Sequence, residues 1–259
     1  MVRSSVPRKI LGVIPARFGS SRFPGKVLAP LASKSVLQHV FERAEQARYL
    51  TQTIIATDDE RVFDAARAFG ATVRMTSRDH ISGTDRVAEV ASADPAEIIV
   101  NIQGDEPFID PDAIDAAVLP LVHGDANMAT LKKKIEDPRE ITDPNVVKVV
   151  TNGAGDAIYF SRCAIPYDRD SAGIAHYKHI GLYAYRRDFL LEYPSLPVGP
   201  LERAERLEQL RALENGHAIR VVETEYESWG VDTPEDLERV SHFIETAGRA
   251  SRPDRGVDG

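Results

Sequence analysis

Short unbroken apolar runs alternate with amphipathic stretches through the first half of the chain. KILGVIPA, TIIAT and EIIVNIQG are continuous apolar segments, the pattern of strands buried on both faces of a sheet. Between them, SVLQHVFERAEQARY sets Val36, Leu37, Val40, Phe41, Ala44 and Ala47 on one helical stripe behind Ser35 as N-cap. DDERVFDAARAFG turns Val62, Phe63, Ala66 and Phe69 inward and stops at Gly70. ATVRMT reads as a short strand and TDRVAEVAS as a helix starting near Thr84. The alternation predicts an α/β protein with a Rossmann-like, mostly parallel sheet flanked by helices.

The pattern changes after about residue 125. MATLKKKI, VVKVVTN, AIYFSR and HIGLYAY read as strands with little helix between them, which predicts a smaller mixed or antiparallel lobe or an antiparallel extension of the sheet. PLERAERLEQLRALENGH reads as one helix carrying Leu201, Ala204, Leu207, Leu210 and Leu213, closed by Asn215-Gly216. AIRVVET and SWGVD read as late strands and TPEDLERVSHFIETA as a final helix. The tail from Arg249 has little to bury and is expected to be disordered.

Composition narrows the functional classes. The net charge of -8 argues against a general nucleic-acid binder. No apolar run approaches the roughly 20 residues that span a bilayer, so no membrane insertion is expected. ILGVI is too short for a signal peptide and runs into Pro15 and Arg17. The first residues read as a short loose leader. Cys163 is the only cysteine, which allows no internal disulfide and points to a reducing cytoplasm. Cys163 itself is expected to be a small buried residue.

Against this acidic background, the loop of VIPARFGSSRFPGK gathers Arg17, Arg22 and Lys26. It is not a Walker A loop, because five residues separate Gly19 from Gly25 and Val27 follows Lys26. It also lacks the dinucleotide G-x-G-x-x-G. A strand end followed by Gly19, Ser20 and Ser21 lets backbone and hydroxyl donors approach an anion. Two arginines can fork onto phosphate oxygens, and a lysine adds a mobile charge. The plain alternative is a solvated basic loop. Two aspartates, Asp105 in VNIQGDEP and Asp232 in GVDTPED, each follow an apolar run. Carboxylates at two strand ends can share Mg²⁺ with substrate phosphates and water. Asp105 could instead be a turn residue. Asp232 could cap the last helix, although Thr233, Pro234, Glu235 and Asp236 suit that task better. Glu106 is a more distant candidate.

IPARFGSSRFPGK, DHISGTDR, VNIQGDEP, YFSRCAIPYDRD, HIGLYAY, LEQLR and GVDTPEDLERV occur in this order over nearly the whole chain apart from the tail. Together they resemble the 3-deoxy-manno-octulosonate cytidylyltransferase (CMP-Kdo synthetase) family. The first motif alone would mark only the broader cytidylyltransferases. Phe18 and Tyr167 stand where tyrosine and tryptophan are common in the family. The resemblance implies a nucleotide-diphospho-sugar transferase fold. It would have a nucleotide-binding part over 1–125, a sugar-binding and dimerisation part over 126–215, a return to the α/β part over 216–248, and a tail over 249–259.

The resemblance also implies a cytoplasmic, homodimeric enzyme. It would make CMP-Kdo and pyrophosphate from CTP and 3-deoxy-D-manno-octulosonate (Kdo), activating Kdo for lipopolysaccharide synthesis. One or two Mg²⁺ ions would be held by Asp105 and Asp232, with Arg17 and Lys26 completing the catalytic set. Arg17, Ser20, Arg22, Lys26, Ser82, Gly83 and Gln103 would hold the nucleotide; from the residues alone, Ser82 and Thr84 read equally well as a helix cap. Arg162, His179, Tyr183, Glu208 and Gln209 would bind the sugar. A strand period puts His179, Gly181, Tyr183 and Tyr185 on one face, and Tyr185 reads as packing. The rivals are an enzyme acting on 8-amino-Kdo or another acidic sugar such as sialic acid, and a non-catalytic nucleotide-binding regulator on the same fold.

Overall fold

The computed structural model describes residues 9–20, 22–124 and 126–250, without the side chains of 245–250. The expected leader, Ser21 and residues 251–259 of the tail lie outside the described residues.

The chain opens with β1 (Ile10–Pro15), a 3-10 turn (Lys26–Leu28) and the two-residue strands β2 (Pro30–Leu31) and β3 (Lys34–Ser35). There follow α1 (Val36–Ala44), β4 (Gln52–Thr57), α2 (Glu60–Ala68), β5 (Val73–Met75), α3 (Gly83–Ser92), β6 (Ile98–Asn101) and α4 (Pro111–His123). The second half has β7 (Met128–Lys134), α5 (Pro138–Thr142), β8 (Lys148–Thr151), β9 (Ala157–Ser161) and β10 (Tyr177–Arg186). It closes with α6 (Arg187–Glu192), α7 (Pro200–Glu205), α8 (Leu210–Glu214), β11 (Arg220–Glu223) and α9 (Pro234–Ala250).

Nine of the described strands build one continuous sheet in the order β11-β7-β10-β6-β1-β4-β5, with β8 pairing β10 and β9, and β2 and β3 form a separate antiparallel pair. β6, β1, β4 and β5 are parallel, as the buried apolar runs require. β10 enters antiparallel between β6 and β7. The β8–β9 pair is the antiparallel extension. The chain moves from β1 outward through β4 and β5, then returns to place β6 on the other side of β1. The crevice beyond the carboxyl ends of β1 and β6 is therefore a topological switch point, where open α/β sheets bind ligands.

Two apolar clusters cover the two faces of the sheet. One contains Ile14, Leu37, Val40, Val100, Val118 and Leu182. The other contains Val13, Ile54, Val87, Ile99, Tyr185 and Leu210. A third, smaller cluster joins Ala29, Leu31 and Val36 to Val231 and Val240. It clamps the start of α9 against the loop that follows β1.

Several expectations change. The amphipathic stretch from Pro200 is not one helix. It breaks after Glu205, where Arg206 adopts φ 53°. This left-handed conformation costs about 1 kcal/mol or more for a non-glycine residue. The Glu205 carboxylate leaves the helix surface to accept from Ser161 Oγ (2.6 Å) and Arg162 N (2.9 Å). Leu207 and Leu210 are buried but Leu201 is 43% exposed, so the leucine stripe does not extend through α7. SWGVD is not a strand: Val231 N makes a single bond to Asp105 O (2.9 Å), and Trp229 and Val231 serve the third cluster. α4 carries little amphipathic signal because its residues are mostly apolar with little periodicity and Pro120 lies inside it, while Pro111 opens it. Cys163 is exposed rather than buried. α9 carries Arg249 and Ala250 within its helix. No helix among the described residues is long and apolar enough to cross a membrane.

Candidate active site

The cationic loop is shaped by its glycine. Gly25 adopts φ 75° and its N–H bonds Phe18 O (2.8 Å), which turns the chain into the short 3-10 helix. Val27 anchors that turn in the core at 3% exposure, so Lys26 projects from a fixed point. Lys26 Nζ donates to Asp105 Oδ2 (2.5 Å) and to Asp232 Oδ1 (2.7 Å). Arg22 Nη2 reaches Asp232 Oδ2 at 3.0 Å. Residues 79 and 206 positions from Lys26 thus meet on one ammonium group.

The local sequence explains this meeting. Asp105 follows β6 through Gly104, where a Cβ would lie 2.8 Å from Pro15 O. Only glycine lets that loop lie against the end of β1. Gly104→Ala is expected to retain the fold and lower kcat/KM by about 10²-fold, since small displacements of reacting groups are costly; unchanged kinetics would show that the close approach is not needed. At the other aspartate, Asp236 Oδ2 accepts from the N–H groups of Asp232 and Thr233, and Thr233 Oγ1 accepts from Asp236 N. This capping box satisfies the start of α9 and leaves the Asp232 carboxylate for the site. Glu106 is buried and accepts from Tyr226 OH (2.8 Å), tying the Asp105 loop to the segment before Asp232. Burial pushes its carboxyl pKa up, although Tyr226 and Ser228 oppose that shift.

The ion cluster fixes its own protonation. Burial alone would raise the Asp232 carboxyl pKa, but its bonds to Lys26 and the charge of Arg22 outweigh burial and hold it below 3.8. Burial would lower Lys26, and Asp105 and Asp232 together hold it above 10.5. A carboxyl with a depressed pKa stabilises the fold above its unfolded value, and that contribution disappears as pH falls through the folded value. Asp232→Asn is therefore expected to remove part of the decline in melting temperature below about pH 4. An unchanged acid limb would contradict the pairing.

Two adjoining cavities occupy the crevice. The larger, about 410 Å³, is lined by Arg17, Ser20, Arg22, Lys26, Asp105 and Asp232, together with Gly83 and Gln103. Arg17 also fixes the next loop, since its Nη2 donates to His80 O (2.6 Å) and Ser82 O (3.1 Å). The smaller, about 120 Å³, is lined by Tyr183, Tyr185, Tyr193, Glu208, Gln209 and Asn101, with Thr84 and again Gly83 and Gln103. The break between α7 and α8 delivers Glu208 and Gln209 to it. Burial pushes the Glu208 carboxyl pKa up, and a hydrogen bond from Thr84 opposes that.

The cationic loop, both aspartates, Gly83 and Gln103 therefore gather in the larger cavity, with Tyr183, Glu208 and Gln209 next door. Two expected residues stand apart, and a third lies between. Ser82 Oγ accepts from Asp85 N (3.1 Å) as the α3 cap and donates to Glu208 Oε1 (3.4 Å) at the edge of the smaller cavity. Arg162 donates Nε to Glu205 O (2.8 Å) and Nη1 to Pro144 O (2.9 Å), which holds its guanidinium away from both cavities. His179 lies against Phe160 and Tyr183 with Nε2 3.0 Å from Thr130 Oγ1. It lines neither cavity, and burial pushes its pKa down to about 3. Sequence reading missed Asn101, Gly104 and Tyr193. The only signal for Asn101 was a polar residue ending the apolar run IIVN.

Among the described residues, no group of three or more His, Cys, Asp or Glu side chains is placed to hold a metal ion. The relevant donor set is smaller. Asp105 and Asp232 both contact one Nζ, so one compact cation can touch both. Two carboxylate oxygens beside a phosphate-sized basic cavity suit Mg²⁺, which completes its shell with water and substrate phosphates.

Comparison with known proteins shows the family. The cytidylyltransferase family model matches residues 11–221. A 3-deoxy-manno-octulosonate cytidylyltransferase of Solibacter usitatus (strain Ellin6076) is 76% identical over 244 residues, covering 93% of this chain and 97% of the relative. The enzyme of the same description from Geobacter sulfurreducens is 56% identical over 89% of this chain and 97% of its own length. The solved structure of CMP:2-keto-3-deoxy-manno-octonic acid synthetase complexed with CTP superposes with TM-score 0.89 at 44% identity, over 92% of this chain and 99% of that one. The chain belongs to the cytidylyltransferases and, within them, to the 3-deoxy-manno-octulosonate cytidylyltransferase family.

Proposed function

We propose that this chain transfers CMP from CTP to the anomeric hydroxyl of Kdo, releasing pyrophosphate and supplying CMP-Kdo for lipopolysaccharide synthesis. The observation that carries the reading is the meeting of Lys26, Asp105 and Asp232 in the basic cavity at the switch point. The anomeric oxygen forms a bond to the α-phosphorus, its proton passes to solvent, and the bond to the β-phosphate oxygen breaks. Arg17, Arg22 and Lys26 bind the triphosphate and carry the charge that grows on the departing pyrophosphate. The small-residue loop and Gly83 allow close backbone approach, and Gln103 borders both cavities. Tyr183, Glu208 and Gln209 hold the sugar next to the α-phosphate, so positioning supplies much of the rate. Mg²⁺ held by Asp105 and Asp232 would neutralise phosphate charge when bound. A regulator without turnover would not need two carboxylates and a lysine joined at one point, which favours the enzyme.

Product analysis by mass spectrometry after incubation with CTP and Kdo, 8-amino-Kdo or sialic acid tests the acceptor. CMP-Kdo as the main product is expected; a product from the amino sugar alone would keep the chemistry and change the substrate. The cytoplasmic enzyme works as a homodimer through the segment after about residue 125, where Ile158 and Tyr167 are 60% and 86% exposed. Light scattering that returned a monomer would remove that part of the proposal.

A further inference from the structure

Asn101 ends β6 with its backbone committed to the sheet, opposite Val13 of β1 and Tyr183 of β10. Successive side chains of a strand alternate between faces. Ile98 and Val100 pack in one cluster, and Ile99 packs in the other. Asn101 therefore shares the face of Ile99, Tyr183 and Tyr185. It lines the smaller cavity, is only 3% exposed, and its Oδ1 has no hydrogen-bond partner among the described residues. Buried side-chain acceptors are normally satisfied, because an unmet one costs free energy. An apolar residue of similar size would escape that cost.

We infer that Asn101 contacts the acceptor and sets its specificity, with Oδ1 accepting a hydrogen bond from a sugar hydroxyl seated in the smaller cavity. This rests on the proposed division of the site into a phosphate cavity and a sugar cavity. A phosphate oxygen cannot satisfy Oδ1, since ionised phosphate brings acceptors rather than donors. The donor must be an O–H or N–H group. The three cations Arg17, Arg22 and Lys26 line the larger cavity. Around Asn101 stand tyrosines, Glu208 and Gln209, groups that pair with hydroxyls. A hydroxyl-rich acceptor is the ligand this lining fits. The cytosine amine and the ribose hydroxyls are the competing donors, and they would bring Asn101 into nucleotide recognition instead.

The test is Asn101→Leu, assayed with sugar and CTP varied separately. Calorimetric CTP binding and melting temperature would be measured in parallel. The sugar KM is expected to rise about 10- to 100-fold, the range for losing one buried hydrogen bond. CTP affinity should stay unchanged, and melting temperature should hold or rise because leucine removes the unmet acceptor. Among Kdo analogues that each lack one hydroxyl, one that is poor for the wild type should match Kdo in the variant. Asn101→Ser supplies the same comparison if the leucine variant does not fold. An unchanged sugar KM overturns the inference, as does a loss confined to CTP. Parallel loss of both affinities with a lower melting temperature would assign Asn101 to the fold alone and also overturns it. Wild-type pyrophosphate release with Kdo tests the proposed reaction, whereas the variant-to-wild-type KM ratio tests Asn101, so the two fail separately.

Discussion

Asp105→Asn should leave the sheet intact and remove nearly all turnover. The substitution keeps the size and one acceptor oxygen but deletes the charge that faces Lys26. It also removes half of the two-carboxylate donor set proposed for Mg²⁺. Metal stabilisation of a reacting phosphate is worth several kcal/mol, so a fall in kcat on the order of 10³-fold is expected. The neighbouring bond from Val231 N to Asp105 O uses the backbone and survives the change, so melting temperature should move little. CTP binding should weaken less than turnover, because the basic loop is untouched. Near-normal kcat in a folded variant would remove Asp105 from the chemistry.

Lys26→Ala has the second largest expected effect. The lysine side chain is 13% exposed and bonds both aspartates, so its loss leaves Asp105 and Asp232 facing each other, with Arg22 paired to Asp232 alone. Turnover should fall and the CTP KM should rise, by about 10²- to 10³-fold in kcat/KM together, the scale for deleting one charge-stabilising group. The sugar KM should change much less. Lys26→Arg should rescue poorly, because a planar fork does not replace a compact ammonium between two carboxylates. If CTP KM and kcat were both unchanged, the phosphate role of Lys26 would be wrong.

Much of this site was legible because its parts are local patterns. Ser35 caps α1 and Thr233 with Asp236 caps α9 as short-range chemistry dictates. That cap is complete without the Asp232 carboxylate, which leaves Asp232 for another task. The parallel half of the sheet followed from apolar runs such as TIIAT, since a strand buried on both faces has no polar alternation to hide it. The failures have the opposite character. Nothing within PLERAERLEQLR announces that Glu205 bonds Ser161, 44 residues away, or that Arg206 takes a left-handed turn. That tertiary demand overrides helix periodicity and brings Glu208 and Gln209 into the cavity. The bonds of Arg162 to Glu205 and Pro144 and the contact of His179 with Thr130 likewise join segments far apart in the chain, which no linear pattern reveals.

The most direct measurement is pyrophosphate release by the protein with CTP and Kdo, before and after EDTA and again after added Mg²⁺. The account predicts release that requires Kdo, stops with EDTA and returns with Mg²⁺. Undiminished release in EDTA would contradict the role proposed for Asp105 and Asp232, and no release with Kdo in the presence of Mg²⁺ would contradict the reaction itself.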